Sequence, residues 1–268
     1  MLTEDINTLA KLLERNLALK VVKVLSIGKY IVFKVKSESS VYVAKIAKTC
    51  IESSKGECTE FTKHMISEYE NYRTILSKHI AGIVGLYIVE NVPIILREYI
   101  ESTLSDVLSK VGRLDEHQIA IVSIKISQAL NDIHRAHFVY TDLKPENIGV
   151  DLKTNSVKLI DLDSLTKPFT RPRLISYDYT PPEYLSSGIV VKESDLYQLG
   201  LIIQHMATGR FVNPVFGQPV SYDSIPERLR DIVRELLNPM PFMRPKPEEI
   251  MERLLQLYSI DTNLSLCL

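Results

Sequence analysis

The stretch Tyr140–Val150, "YTDLKPENIGV", sets Asp142, Lys144 and Asn147 within six residues, with Pro145 between the lysine and the asparagine. Proline fixes its own φ and lacks a backbone donor, so no helix runs through here and the stretch reads as a loop. An aspartate on a loop can accept the proton of an incoming hydroxyl, and a lysine two residues on can neutralise charge on a transferring group. The amide oxygen of an asparagine suits a hard cation such as Mg²⁺, which also wants a carboxylate. Asp161 stands fourteen residues after Asn147, at the end of the apolar run in "VKLIDLDSL". A carboxylate leaving a buried strand is costly unless paired, and a cation removes that cost. Upstream, "VYVAKIAK" puts Lys45 inside an apolar strand, where an ammonium also needs an anionic partner. Glu68 and Glu70 both lie on the next predicted helix; Glu68 shares a helical phase with Tyr69, Tyr72 and Ile75 and is the better inward-facing partner. An acid, two cations, an amide and a second carboxylate fit phosphoryl transfer, in which catalysis is mainly positioning and charge stabilisation.

The elements that must hold these residues follow from periodicity. Leu9, Leu12, Leu13 and Leu17 recur at helical spacing after Thr3, which predicts a helix over about residues 4–19. From Val21 to Ala47 the pattern alternates, giving three strands with turns at Gly28 and at "SESS". "KTCIESSKGECTE" reads as loop and "FTKHMISEYENYRTILSKHI" as helix. "IVGLYIVE" and "PIILREYI" read as two further strands joined by a turn at Asn91–Pro93. After Ile100 helices dominate: "QIAIVSIKISQALNDIHRAH", "SDLYQLGLIIQHMATG" closed by Gly209, and two that open on proline, "PERLRDIVRELL" and "PEEIMERLLQLY". The fold class expected is α+β. It comprises an N-terminal helical extension (1–20), a small, mainly antiparallel β lobe with one key helix (21–100), and a larger, mainly α lobe (101–268).

Composition narrows the function. The chain has 268 residues, 45% hydrophobic and 24% charged, with a formal net charge of −1. No overall basic field points to nucleic acid, and no apolar run is long enough to span a bilayer. The N-terminus is acidic and helix-patterned rather than signal-like, so a cytoplasmic protein is expected. Cys50, Cys58 and Cys267 show no metal-ligand spacing; Cys50 and Cys58 could form a disulfide, but two free thiols are the favoured reading.

Taken in order, these residues make the chain resemble the eukaryotic-type protein kinase family over about residues 21–258. Asp142-Leu143-Lys144-Pro145-Glu146-Asn147 is similar to its catalytic loop. The resemblance implies ATP and Mg²⁺ as cofactors and a protein with a Ser/Thr hydroxyl as substrate. Asp142 would be the catalytic base, Lys144 would stabilise the γ-phosphate, and Asn147 and Asp161 would hold metal. Lys45, ion-paired with Glu68, would grip the α/β-phosphates. Leu25, Ser26, Gly28, Phe33 and Val43 would line the nucleotide, with Glu98 and Ile100 presenting backbone groups to adenine. Ser176 would bond the catalytic pair. Pro181-Pro182-Glu183 resembles Ala-Pro-Glu, with Glu183 paired to Arg244, and Asp195 would grip the catalytic-loop backbone.

The chain departs from the family's pattern at several points. Gly-x-Gly-x-x-Gly falls on Ser26, Gly28 and Ile31, so only Gly28 allows close backbone approach. Asp163 replaces the glycine of Asp-Phe-Gly. Gly149 stands where a large apolar residue floors the adenine site, which implies a thin floor. Arg97 occupies the position that guards the back of that site. Thr141 replaces the arginine that binds an activation-segment phosphate, so activity independent of such phosphorylation is expected. Two alternatives remain open: a pseudokinase acting as a binding module, favoured by the degenerate loop, and a small-molecule kinase. Oligomeric state is not legible.

Overall fold

The structure is a computed structural model that describes residues 2–47, 55–151, 156–172 and 175–259. It divides into two compact units, Met1–Thr74 with Ala81–Tyr99, and Ile75–Ile80 with Ile100–Leu268. The first holds an antiparallel sheet and the second is mainly helical, an α+β protein kinase-like fold.

In the first unit, α1 (Leu2–Leu17) precedes β1 (Lys20–Ile27), β2 (Tyr30–Lys36) and β3 (Val41–Ala47). α2 (Lys55–Thr74) then leads to β4 (Ile83–Val89) and β5 (Val92–Glu98). α2 begins within the stretch expected to be loop. The sheet order is β1-β2-β3-β5-β4, antiparallel throughout. The β4–β5 turn is carried by Glu90 and Asn91, whose φ values of 50° and 67° match a tight hairpin turn. Pro93 therefore sits inside β5, and β3 begins its pairing only at Ile94, so the missing N–H breaks no ladder bond there.

Strand alternation gives this sheet two buried faces. Ile31, Phe33 and Val35 of β2, Ala44 and Ile46 of β3, and Ile94 and Leu96 of β5 pack with Leu9, Leu12 and Leu13 of α1. The opposite face carries Tyr30, Ala47 and Ile95 against Met65 and Phe61 of α2. The N-terminal helix is thus a cap on the small unit. Cys58, near the start of α2, is disulfide-bonded, which overturns the favoured free-thiol reading for it; composition carries no distance information. Cys50 and Cys267 lie outside the described residues.

In the second unit, β6 (Ser102–Thr103), β7 (Ile148–Asp151) and β8 (Ser156–Leu159) form a small antiparallel sheet. α3 (Leu104–Val111) and α4 (Glu116–Arg135) each start with a capping box, at Thr103 and Asp115. They are followed by α5 (Pro182–Ser187), α6 (Lys192–Thr208), α7 (Glu227–Leu236) and α8 (Pro247–Tyr258). α6 is buried on nearly every side from Ser194 to Ala207. A helix buried all round belongs in the middle of a unit. Gly200 makes that possible, because a Cβ there would stand 2.8 Å from Leu236 Cβ. Among the described residues no helix is long and apolar enough to cross a membrane.

Two outcomes follow. Leu13 is fully buried, and Leu13→Ala should lower stability by about 3 kcal/mol, read as a lower urea midpoint with unchanged slope. His79 is buried, with Nε2 lacking a hydrogen-bond partner among the described residues. Burial, helped by Lys125, lowers its pKa from 6.5 to about 4. The unfolded chain therefore takes up a proton that the folded chain refuses, and stability should fall as pH drops from about 6.5 to 4. His79→Gln should flatten that part of a stability-against-pH curve.

Candidate active site

The loop Tyr140–Asn147 is held from beneath by α6. Asp195, fully buried, accepts from Tyr140 N and Thr141 N at 2.8 Å each, and its Oδ2 lies 2.8 Å from His134 Nε2. One turn on, Gln198 accepts from Leu143 N and donates to the carbonyls of Thr141 and Tyr179. These bonds fix a strained backbone: Thr141 has φ of 67°, left-handed and unfavourable for a β-branched residue. Its hydroxyl donates to Ser164 O, and Ser164 Oγ donates back to Tyr140 O, at 2.9 and 2.6 Å.

Above this base stands a hydrogen-bonded cluster. Lys144 Nζ lies 2.9 Å from Asp142 Oδ2 and donates to Ser176 Oγ at 2.7 Å, while Ser176 Oγ donates to Asp142 Oδ1. Asn147 Nδ2 donates to both the backbone oxygen and Oδ2 of Asp142, at 2.9 and 2.8 Å. Asn147 O accepts from Ile160 N, which sets Asp161 beside the loop at the end of β8. Asp161 Oδ1 accepts from Asp163 N at 3.1 Å, so Asp163 closes a tight turn on that carboxylate. With its nitrogen committed to Asp142, the Asn147 amide has its oxygen left for a hard cation. One amide oxygen and one carboxylate are the sparse donor set Mg²⁺ takes when it keeps several waters. Among the described residues there is no group of three or more His, Cys, Asp and Glu suited to a metal.

Glu183 and Arg244 form a two-bond fork at 2.8 Å, with Arg244 4% exposed and Ser194 Oγ donating to Glu183 Oε1. Sequence reasoning missed Asn213. It is fully buried, donates to Asp178 O and Thr180 O, and accepts from Tyr197 OH. With Phe211 against Tyr179 and Phe216 stacked on Tyr177, it ties the turn-rich segment after α6 to the stretch that carries Ser176. The floor expected to be thin is filled: a Cβ on Gly149 would stand 2.6 Å from Ile160 Cγ2 and 2.8 Å from Ile100 Cδ1. Ile160 was not singled out from sequence because it reads as ordinary strand.

In the first unit, Lys45 Nζ meets Glu68 Oε2 at 2.9 Å and Oε1 at 3.2 Å, the two residues being 1% and 4% exposed. Glu70 is exposed. Lys45 Nζ also lies 4.4 Å from the Tyr30 ring centroid. Val43, two residues back on β3, shares this face. Phe33 does not. Lys45 pairs with Val32, and Phe33 pairs with Ala44 on the α1 side, where it is fully buried. The expectation that Phe33 lines the nucleotide is therefore corrected: Val32 holds the register position on the Lys45 face, because the β1–β2 hairpin turns one residue sooner than the family spacing assumes. Leu25 and Ser26 are exposed at the end of β1, and nothing lies within 4 Å of where a Gly28 Cβ would stand. The Glu98 carboxylate accepts from Gly82 N at 2.8 Å.

A sheet unit with a buried lysine–glutamate pair, and a helical unit with an Asp-Lys-Asn loop beside a strand-end aspartate, define the phosphotransferase class of protein kinases. The chain matches the Protein kinase domain family over residues 20–257, and it belongs to that family. It is 27% identical over 217 residues to the serine/threonine-protein kinase PrkC of Bacillus subtilis, covering 72% of this chain and 33% of that protein. It is 27% identical over 184 residues to the MAP kinase kinase PBS2 of Saccharomyces cerevisiae (64% and 27%). It is 29% identical over 160 residues to the mouse sperm motility kinase 3A (54% and 32%). The matched region spans about a third of these curated relatives' length.

Glu68→Ala would take a bidentate carboxylate away from the buried Lys45 ammonium. It should cost about 3–5 kcal/mol in urea unfolding, whereas Glu70→Ala should change stability by less than about 0.5 kcal/mol.

Proposed function

We propose that the chain is an ATP- and Mg²⁺-dependent protein kinase acting on Ser/Thr hydroxyls of proteins. The observation that carries this reading is the cluster in which Lys144, Ser176 and Asn147 all bond the Asp142 carboxylate. Asp142 is held in one orientation and accepts the acceptor hydroxyl's proton as that oxygen bonds to the γ-phosphorus and the bridging bond to ADP breaks. Lys144 offsets charge on the transferring phosphoryl group, and Lys45, oriented by Glu68, binds the α/β-phosphates. Asn147 and Asp161 would hold Mg²⁺, which supplies charge neutralisation between the phosphates when bound.

Activity without phosphorylation of the Asp161–Glu183 segment is part of the same reading. An arginine at position 141 would hold this segment through a phosphate. Here the Thr141 hydroxyl donates to Ser164 O, the Ser164 hydroxyl donates to Tyr140 O, and Val139 and Thr166 exchange two backbone bonds. The segment is tethered by neutral groups already present in the unmodified chain. The pseudokinase alternative draws on the glycine loop, where Ile31 is fully buried in place of a glycine.

Incorporation of labelled phosphate into a generic protein substrate tests these readings. Asp142→Asn should reduce turnover by about 10²–10⁴-fold, and Lys45→Ala and Asp161→Ala should also reduce it strongly. Phosphatase-treated protein should keep its rate, and product analysis should find phosphoserine or phosphothreonine. Equal incorporation by wild type and Asp142→Asn would reject the enzyme reading in favour of a binding module.

A further inference from the structure

The second unit holds a cavity of about 260 Å³ where the end of α4 meets the starts of α6 and α8, and none of Asp142, Lys144, Asn147 and Asp161 lines it. Five basic side chains do: His134 and Arg135 of α4, His137 just past it, Lys192 at the first position of α6, and Lys246 at the N-cap of α8. His134 is committed to Asp195. The side chains of the other four have no hydrogen-bond or ion-pair partner among the described residues. Two carboxylates, Glu193 and Glu248, share the lining, yet neither forms an ion pair with those bases. Leu196 and Pro247, both buried, add an apolar wall.

Local structure does not account for these bases. A helix start carries partial positive charge, so a lysine there is disfavoured, and here two helices each put one into the same cavity. Neither Val191 nor Lys246 caps its helix through a side chain, which leaves the first backbone donors of α6 and α8 without that partner. Glu193 and Glu248 stand second in those helices, where the helix itself favours a carboxylate. The end of α4 is closed by backbone alone: Phe138 N donates to Ile133 O and His137 N to His134 O, so Arg135 and His137 are not needed as caps. His137 takes the left-handed position of that closure, at φ of 61°, which glycine would fill without strain. An anion with several acceptors would satisfy all four unpaired bases at once. A carboxylate brings one charge and two oxygens. A phosphate monoester brings nearly two charges and three terminal oxygens, and its carbon stem suits Leu196 and Pro247.

We propose that this cavity binds a phosphate monoester, carried by a small molecule or by a phosphorylated side chain. The test is calorimetric titration of the full chain with a short phosphoserine peptide of neutral flanks, its unphosphorylated counterpart and free O-phosphoserine. The phosphopeptide should bind and its counterpart should not. Lys192→Gln with Lys246→Gln should weaken binding by about tenfold or more, since each removes a charge-assisted hydrogen bond. Lys110→Gln, at an exposed lysine of α3, should change nothing. Lys144→Ala should also leave binding intact, which separates this cavity from the phosphate chemistry of the Asp142 loop. In unaltered protein, the His137 ring signals in an NMR spectrum should shift with the phosphopeptide alone, so the comparison decides even if a variant fails to fold. O-phosphoserine as tight as the peptide supports the site with a small ester as its source, and a tighter peptide supports it with a phosphorylated chain. Equal binding of the two peptides, unmoved His137 signals, an unchanged affinity in the double lysine variant, or a loss confined to Lys144→Ala each overturns the proposal. None of these outcomes bears on ATP, so the kinase reading stands or falls separately.

Discussion

The position of the catalytic loop depends on one buried carboxylate. Asp195 has no solvent exposure, and an ionised group so placed must find its hydration shell in the protein. It finds it in Tyr140 N, Thr141 N and His134, two of which belong to the loop. The loop backbone is thus a requirement of burying Asp195, as much as Asp195 is a support for the loop. α6 can carry the charge at its first turn because its N-terminal end favours anions. The same helix supplies Gln198 to Leu143, Thr141 and Tyr179, and Tyr197 to Asn213. One buried helix thereby sets the loop that bears Asp142 and the stretch that bears Ser176.

Glu183 and Arg244 solve the same problem by different means. Two ions of opposite sign satisfy one another through a fork, and Arg244 places its remaining donors on Glu193 O and Asn238 O. Neither would survive alone in that site, since removing one partner leaves the other buried and unpaired. The pair joins the start of α5 to the approach of α8, and Ser194 links it to the first turn of α6. The rigidity of Ser176 against Asp142 is therefore inherited from buried charges on either side of it.

Much of this was legible in the residues. Asp142, Lys144 and Asn147 share a short loop, so their proximity needed no tertiary information. Glu68 could be chosen over Glu70 because helical phase alone separates an inward from an outward side chain. Phe33 was misplaced for an equally simple reason. Side chains in a strand alternate with a period of two, so a hairpin shortened by one residue sends every later side chain to the other face. Position relative to Lys45 in sequence could not reveal that shortening, because its signal is the pairing of Val32 with Lys45. The start of α2 was lost in a polar stretch whose helical face is set by the sheet it packs on. Asn213 and Ser164 were invisible because a single polar residue in a turn carries no periodicity. Their importance lies in backbone carbonyls that only the fold brings near.

Thr141 shows how a departure from the family pattern can be a substitution of mechanism. Left-handed backbone at a β-branched residue costs of order 1–3 kcal/mol and persists only when its surroundings over-determine it. Here they do: its N–H, carbonyl and hydroxyl are each engaged, by Asp195, Gln198 and Ser164. A long cation at this position would reach away from the loop and wait for an anion; a short hydroxyl turns inward and bonds the chain just beyond Asp161. The second arrangement needs no modification to form, and it offers a later phosphate no guanidinium at position 141. It also couples the strain to the segment after Asp161, because releasing the Ser164 bond would remove one of the groups that hold Thr141 in place.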